Sequence, residues 1–309
     1  MLTLRPTSTD LFGGLDGLVN DVEHLPFWSG SRAAFIVAFC RFVLTRRFDV
    51  SILAYPAARR EYQLLHAMIR SKCRIAHRYG RSFLLDQISG FETARLDVTG
   101  ASNIERNAAL FRHVDRRHEV AAAYAVPGSW LARVAEQRRP GYVVIHVGSV
   151  DHDSFAAKRW PLDRFIELGR RLVARGERVV YLSGPDERSE TRAAHEATAT
   201  SELFSGSLLD TAGLLNGAAL VLTNDSGVGH LAAGLGRRVV SLFGPTPIEY
   251  APYGATVVAV RPSPCPPCFD VVRSDMSCKL DIDYACLRRD LTVDVVENVA
   301  IAQLAQTST

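Results

Sequence analysis

The chain lacks several things, and each absence excludes a class of function. No apolar run among its 309 residues reaches the ~20 needed to cross a bilayer as a helix. Its first residues, MLTLRPTSTDLFGG, lack the charged-then-apolar layout of a secretory signal. It therefore reads as a soluble cytoplasmic protein. An excess of one charge is also missing: 36 Lys and Arg stand against 33 Asp and Glu, for a net charge of +3. That is too little to draw the protein to nucleic acid, although a local basic patch can still meet an anionic substrate or membrane surface. Internal repeats and low-complexity tracts are absent. So are the G-x-x-x-x-G-K-[ST] and G-x-G-x-x-G nucleotide fingerprints. Cysteine is sparse, at six residues. In a chain with no export signal these read as thiols or metal ligands rather than disulfides.

What is present is an α/β pattern long enough for two domains, with a polar breaker at Arg138-Arg139-Pro140-Gly141. The expected division is 1–138 and 139–309. In the first part, Met1 to Arg5 reads as a short strand. Phe35, Ile36, Phe39, Cys40 and Val43 recur at helical spacing, and Asp49 to Tyr55 reads as a buried strand. Leu64, Leu65, Met68 and Ile69 mark another helix, and Asn103 to Val114 a further one. Arg70, Lys72, Arg74, Arg78 and Arg81, with His77 among them, form a basic segment. It is either a solvated helix end and loop or a surface for an anionic acceptor.

The second part alternates regularly: strand Tyr142–Gly148, a helix opened by Pro161, strand Val179–Leu182, and a polar helix from Glu187. A helix around Leu208–Leu215 leads into LVLTNDSGVGHLAAGLGRRVVSLFGPTP, Leu220 to Pro247, which reads strand, turn, helix, strand. Such alternation implies a parallel sheet. The turn at Asp225-Ser226-Gly227 then lies at the carboxyl end of a strand and the start of a helix, where free N–H groups and the helix dipole attract phosphate. Ser226 can donate to that phosphate, Gly227 lets the backbone approach it, and His230 lies one turn on. The plainer alternative is a capped turn with a core histidine. Lys158, after another strand's carboxyl end, can neutralise a diphosphate, or it is an ordinary surface lysine. Asp186 and Glu187 follow a third strand; a carboxylate there can bind ribose hydroxyls or cap the helix.

HVGSVDHDSFAAKRWP, YLSGPDE, the Leu220–Pro247 stretch and the C-terminal CPPC…CL…LTVDVV, in that order and spacing, resemble glycosyltransferase family 9. Its best-known members are ADP-heptose:lipopolysaccharide heptosyltransferases. The resemblance implies the GT-B architecture: two Rossmann-like domains facing a cleft, with the nucleotide sugar bound mainly by the C-terminal one. It also implies inverting sugar transfer, most simply of heptose from ADP-heptose, without a catalytic metal. Asp225, Ser226, Gly227 and His230 would sit against the pyrophosphate and sugar, and Lys158 against a donor phosphate. Asp186 or Glu187 would meet the ribose, and Ser149 and Leu209 would line the pocket. The acceptor would be a bacterial glycolipid or a protein hydroxyl, with peripheral contact at the inner membrane.

Two features qualify the resemblance. The family's first β-α unit, whose Gly-Asp loop supplies the acidic base, is expected to be missing. Asp10 and Asp16 follow the wrong strand, so no catalytic base is assigned. A non-catalytic sugar-nucleotide-binding relative is therefore the alternative. Cys265 and Cys268 form C-x2-C, followed by Cys278 and Cys286. Four such cysteines suit a tetrahedral structural site for iron or zinc, or else are buried or oxidation-prone thiols.

Overall fold

The computed structural model describes residues 2–4, 19–27, 31–79, 94–98, 102–115, 126, 128–135, 141–149, 153–184, 187–271, 273 and 275–306. It divides into two units, 1–122 with 127–130, and 123–126 with 131–309.

The N-terminal unit holds two small parallel sheets. In one, β1 (Leu2–Thr3) pairs with β2 (Glu23–His24). Helix α1 (Arg32–Thr45) starts where the Ser31 hydroxyl accepts the Ala34 N–H at 3.1 Å. Next come β3 (Phe48–Ile52), α2 (Arg60–Met68), β4 (Ser71–Arg78) and β5 (Ala94–Asp97). The second sheet runs β3-β4-β5. Helix α3 (Asn103–Val114) has the expected bounds, and its Ser102 cap accepts from the Glu105 N–H. Asn107 on α3 holds the chain beyond β3, accepting from the Tyr55 N–H at 2.6 Å and donating to the Tyr55 carbonyl at 3.0 Å.

Two expectations for this unit are corrected, and the helix marked by Leu64 and Met68 forms but buries a different face. The strand over Asp49–Tyr55 is shorter and not buried: Phe48, Asp49 and Val50 are exposed, because β3 is the outer strand of its sheet. Helix α2 turns Leu64 and Met68 outward and buries Gln63 and His66. The reason is local polarity: His66 shares a 3.0 Å hydrogen bond with Ser51, which also meets Ser71 at 2.8 Å. Most of the basic segment is strand rather than helix end or loop, with Arg70 in the short link that follows α2. Residues 71–78 form the central strand, and its charges pair locally, Lys72 with Asp49 at 2.7 Å and Arg78 with Asp97 at 3.6 Å. Arg81 lies outside the described residues, as do Asp10 and Asp16.

The division between units falls within helix α4 (Gly128–Ala135). The C-terminal unit then follows the expected alternation. Its elements are β6 (Tyr142–His146), α5 (Leu162–Ala174), β7 (Val179–Leu182), α6 (Arg188–Glu196), β8 (Glu202–Phe204) and α7 (Leu208–Gly217). There follow β9 (Ala218–Asn224), α8 (Gly227–Gly234), β10 (Val239–Leu242), β11 (Val257–Val260), the short α9 (Ala285–Arg288) and α10 (Val293–Ala305). Short β8 carries no apolar alternation and was not anticipated. All six strands are parallel, in the order β11-β10-β9-β6-β7-β8. Counted within the unit this is 3-2-1-4-5-6, the doubly wound order, and the sheet reverses direction between β6 and β9.

Continuous burial explains the near-continuous apolar strands. Every residue of β6, β7 and β10 is buried, so side chains on both faces are covered. One face carries Val143, Ile145, Tyr181, Leu220, Leu222 and Leu242, packed with Phe165, Leu168 and Leu172 of α5 and Val296 and Ala300 of α10. Gly176 closes α5 with φ +89°, a left-handed conformation that favours glycine. None of the described helices is long and apolar enough to cross a membrane.

Candidate functional site

The reversal point places the carboxyl ends of β6 and β9 side by side, with His146 in register with Thr223. In open α/β sheets that crevice is where ligands bind. Asn224 ties its walls together. The Asn224 side-chain NH₂ donates to the carbonyls of Val147, at 2.8 Å, and Gly148, at 3.1 Å. Its carbonyl oxygen accepts the Trp160 N–H at 2.9 Å. Trp160 is itself buried, donating its indole N–H to the Leu291 carbonyl at 2.8 Å and meeting Phe165 edge-on. The segment ending in the 3-10 turn 153–158 is thereby fixed over the end of β9.

That bracket delivers Lys158 to Asp225. Their Nζ and Oδ2 atoms are 3.2 Å apart, and Lys158 is only 8% exposed. The surface-lysine alternative is thus corrected: Lys158 is a buried cation paired at the sheet edge. Ser149 is buried beside it, its hydroxyl 3.5 Å from the Asp225 carbonyl oxygen. Arg159 donates to the Ser149 carbonyl at 2.8 Å.

Ser226 precedes α8 but does not cap it with its side chain. Its hydroxyl turns inward, 2.8 Å from the Thr223 hydroxyl and 3.3 Å from His146 Nδ1. Gly227, the first residue of α8, is exposed, and a Cβ there would meet no atom within 4 Å. The protein's own packing therefore leaves room beside the helix N-terminus. His230 follows one turn on; burial pushes its imidazole below the ordinary value of 6.5, Asp225 opposes that shift and Lys158 adds to it.

Glu187 takes a different position from a ribose-binding surface carboxylate. It is 4% exposed, and one oxygen takes the His146 Nε2 at 2.8 Å and the Gly184 N–H at 3.0 Å. Burial raises its pKa, but the hydrogen bond and charge of His146, then the Gly184 N–H and Arg159, hold it below its ordinary value. A side chain at Gly148 or Gly184 would overlap this carboxylate, so both glycines make room for it. Asp186 lies outside the described residues. Leu209 is half-buried in the first turn of α7. A cavity of about 370 Å³ lies against Tyr142, Arg178, Glu202 and Asp210, and none of the candidate residues lines it.

Sequence reasoning missed His146, Thr223 and Asn224. The signal was available: each is a polar residue in an otherwise apolar strand, and a buried polar side chain must find partners.

The cysteines lie near one another: the charges of Cys268 and Cys265 act on Cys286. Among the described residues no three His, Cys, Asp or Glu side chains converge to hold an ion, and all four thiols are free. Cys286 packs into the core, where burial raises its pKa. Cys278 sits in a turn whose N–H groups, first that of Ile282, lower its pKa. Cys268 is buried in a loop held by its own N–H to the Pro245 carbonyl.

A model of the family described as Glycosyltransferase family 9 (heptosyltransferase) matches residues 56–278. Lipopolysaccharide heptosyltransferase 2 of Escherichia coli (strain K12) is 33% identical over 103 residues, 31% of this chain and 30% of that protein. Lipopolysaccharide heptosyltransferase 1 of Pseudomonas aeruginosa is 34% identical over 119 residues, 37% of this chain and 34% of that one. The aligned stretches thus span about a third of these relatives. Among solved structures, a glycosyl transferase family 9 protein from Veillonella parvula superposes with a TM-score of 0.69 at 15% identity, covering 96% of this chain and 87% of that one. E. coli heptosyltransferase WaaC with ADP superposes at 0.65 and 18% identity, covering 95% and 88%. Together with the parallel α/β units, these likenesses give the GT-B fold.

Proposed function

The chain belongs to glycosyltransferase family 9, and on that premise we propose that it transfers a sugar, heptose first among candidates, from a nucleotide diphosphate donor to a bacterial glycolipid or protein hydroxyl. The observation that carries this reading is the buried Lys158–Asp225 pair beside the open Gly227 end of α8, at the point where the sheet reverses. A cation, a helix N-terminus and a backbone with open space in front of it together suit a diphosphate. His230, next to them, gains from a nearby anion because burial disfavours its charged form.

The chemistry is a displacement at the anomeric carbon. The acceptor oxygen bonds to that carbon as its bond to the β-phosphate oxygen breaks, and the acceptor proton passes to a base. Lys158 and the N–H groups opening α8 stabilise the charge that grows on the departing diphosphate. This needs no metal ion. The relative with bound ADP, WaaC of E. coli, supports an adenosine diphosphate moiety as the first donor to try.

The test is calorimetry with ADP and ADP-heptose, followed by an ADP-release assay with a lipopolysaccharide-core acceptor. Binding with turnover is expected; binding without turnover would favour a non-catalytic sugar-nucleotide-binding protein. Lys158→Ala should weaken ADP about tenfold or more, the scale of a lost charge-assisted hydrogen bond. Because it leaves Asp225 buried and unpaired, it should also cost roughly 3 kcal/mol of stability. Unchanged ADP affinity in a folded Lys158→Ala protein would remove Lys158 from the site.

A further inference from the structure

Behind the open turn runs a chain of four buried polar groups. Glu187 Oε1 meets His146 Nε2 at 2.8 Å, and His146 Nδ1 meets Thr223 Oγ1 at 3.2 Å and Ser226 Oγ at 3.3 Å. The two hydroxyls are 2.8 Å apart. Every member is under 10% exposed. Two glycines, Gly148 and Gly184, are kept free of side chains around the carboxylate.

The directions of these bonds are constrained. An ionised carboxylate only accepts, so Nε2 carries a proton and donates to Glu187. What remains open is whether Nδ1 carries one too. If it does not, Nδ1 accepts from Thr223 or Ser226, and the hydroxyl pair spends its protons inward. If it does, Nδ1–H can donate to Thr223 Oγ1 and the Thr223 hydroxyl to Ser226 Oγ, which frees the Ser226 hydrogen to turn outward. An anion at the turn favours that second arrangement, because in the first Ser226 can donate outward only by leaving its 2.8 Å contact with Thr223 without a hydrogen.

We propose that Glu187 and His146 are positioning residues that, with both ring nitrogens protonated, turn the Ser226 hydroxyl outward as a donor to an anionic phosphate. Phosphate binding and protonation of His146 are then linked: each favours the other by the same factor. Glu187 makes the doubly protonated ring tolerable in a buried place by supplying its counter-charge. Its depressed pKa, held down by His146 and Gly184 against burial, agrees with that role. Among the described residues, the other charged groups facing this corner are Lys158, Asp225 and His230 at the turn, and Arg159, which acts on Glu187. The proposal rests on the donor reading only for the identity of the anion.

The experiment is nitrogen NMR of ¹⁵N-histidine-labelled protein, with and without ADP. The nine histidines require assignment, and His146→Asn identifies the His146 ring by the loss of its signals. On adding ADP, both His146 ring nitrogens should move to the protonated range; in Glu187→Gln they should not. His146→Ala should bind ADP about tenfold more weakly than the native protein, the scale of a hydrogen bond to a charged group. His146→Asn keeps a donor near the Nδ1 position and should recover most of that loss. Ser226→Ala should add little on top of His146→Ala. A ring that stays singly protonated with ADP bound would overturn the proposal. So would losses from Ser226→Ala and His146→Ala that simply add. Pyrophosphate is the second probe. A His146 response to pyrophosphate but not ADP keeps the relay and overturns the nucleotide-sugar reading; no response to either overturns the relay. Circular dichroism checks that each variant folds, and if His146→Ala does not, the Glu187→Gln spectra decide.

Discussion

The two units use similar sequence patterns and end up with different surfaces. In the C-terminal unit, apolar runs become strands buried at every residue, and α5 buries Phe165 and Leu172. In the N-terminal unit, the strand around Val50, interrupted by Asp49 and Ser51, lies at the edge of its described sheet with its first three residues exposed. Helix α1 points Val37 and Leu44 outward at 68% and 71% exposure, and α2 shows Met68 while hiding Gln63. The physical difference is the number of neighbours. A strand in a six-stranded sheet with both faces covered has no polar alternative. A strand with one hydrogen-bonded neighbour does, and side-chain bonds such as Ser51 to His66 decide which face turns in. Hydrophobic periodicity says that a face exists to be buried; the surroundings determine whether it is.

The comparison breaks most visibly under truncation of large apolar residues. Phe165→Ala, in the C-terminal core, should cost about 3–5 kcal/mol. Leu44→Ala, in the N-terminal unit, should stay within about 0.5 kcal/mol. Urea unfolding monitored by circular dichroism measures both. A Leu44 loss as large as that of Phe165 would mean that α1 is covered in solution.

A finer contrast lies between two glycines at the candidate site. Gly148→Ala should displace the Glu187 carboxylate and cost roughly 1–3 kcal/mol, as overpacking does. Gly227→Ala meets open space, so thermal melting should hardly change. Its methyl group would stand where the diphosphate is proposed to approach, so ADP affinity should fall several-fold. If both variants lose stability and neither loses affinity, Gly227 is a structural glycine and the site lies elsewhere.

Much of this was legible in advance, and the limits have physical causes. The strand-turn-helix-strand at Leu220–Pro247 is strongly periodic and locally encoded, and it appears as expected in β9, α8 and β10. Lys158 could be placed near the edge because strand direction fixes where a following loop begins. That it pairs with Asp225 could not, because the pairing depends on Asn224 and Trp160 bridging segments 64 residues apart. The bond between Glu187 and His146 was not legible, because His146 is 41 residues earlier and meets it only through the parallel pairing of β6 and β7. The basic segment misled because charge alternation along β4 resembles a solvated helix end when the strand's neighbours are unknown. Spacing alone did not show that Cys286 packs into the core while Cys278 sits in a turn.

The smallest effect separates the units by charge. His77 in the N-terminal unit and His230 in the C-terminal unit are both pushed below 6.5, in each case first by burial. For His77 the carbonyl of Arg106, which its Nε2 meets at 3.0 Å, opposes the shift; for His230 Asp225 does. In both cases the unfolded chain takes up its proton first. Each therefore contributes stability that is present above about pH 6.5 and is lost as pH falls toward the lowered folded value. Phosphate distinguishes them. An anion beside His230 favours its charged form, so ADP should raise its titration midpoint and flatten its share of the acid loss, while His77 should titrate where it did before. Proton NMR of the two imidazoles across pH 4–8, with and without ADP, reads both at once. Equal movement of the two would mean that the anion acts through the whole molecule rather than at the α8 turn.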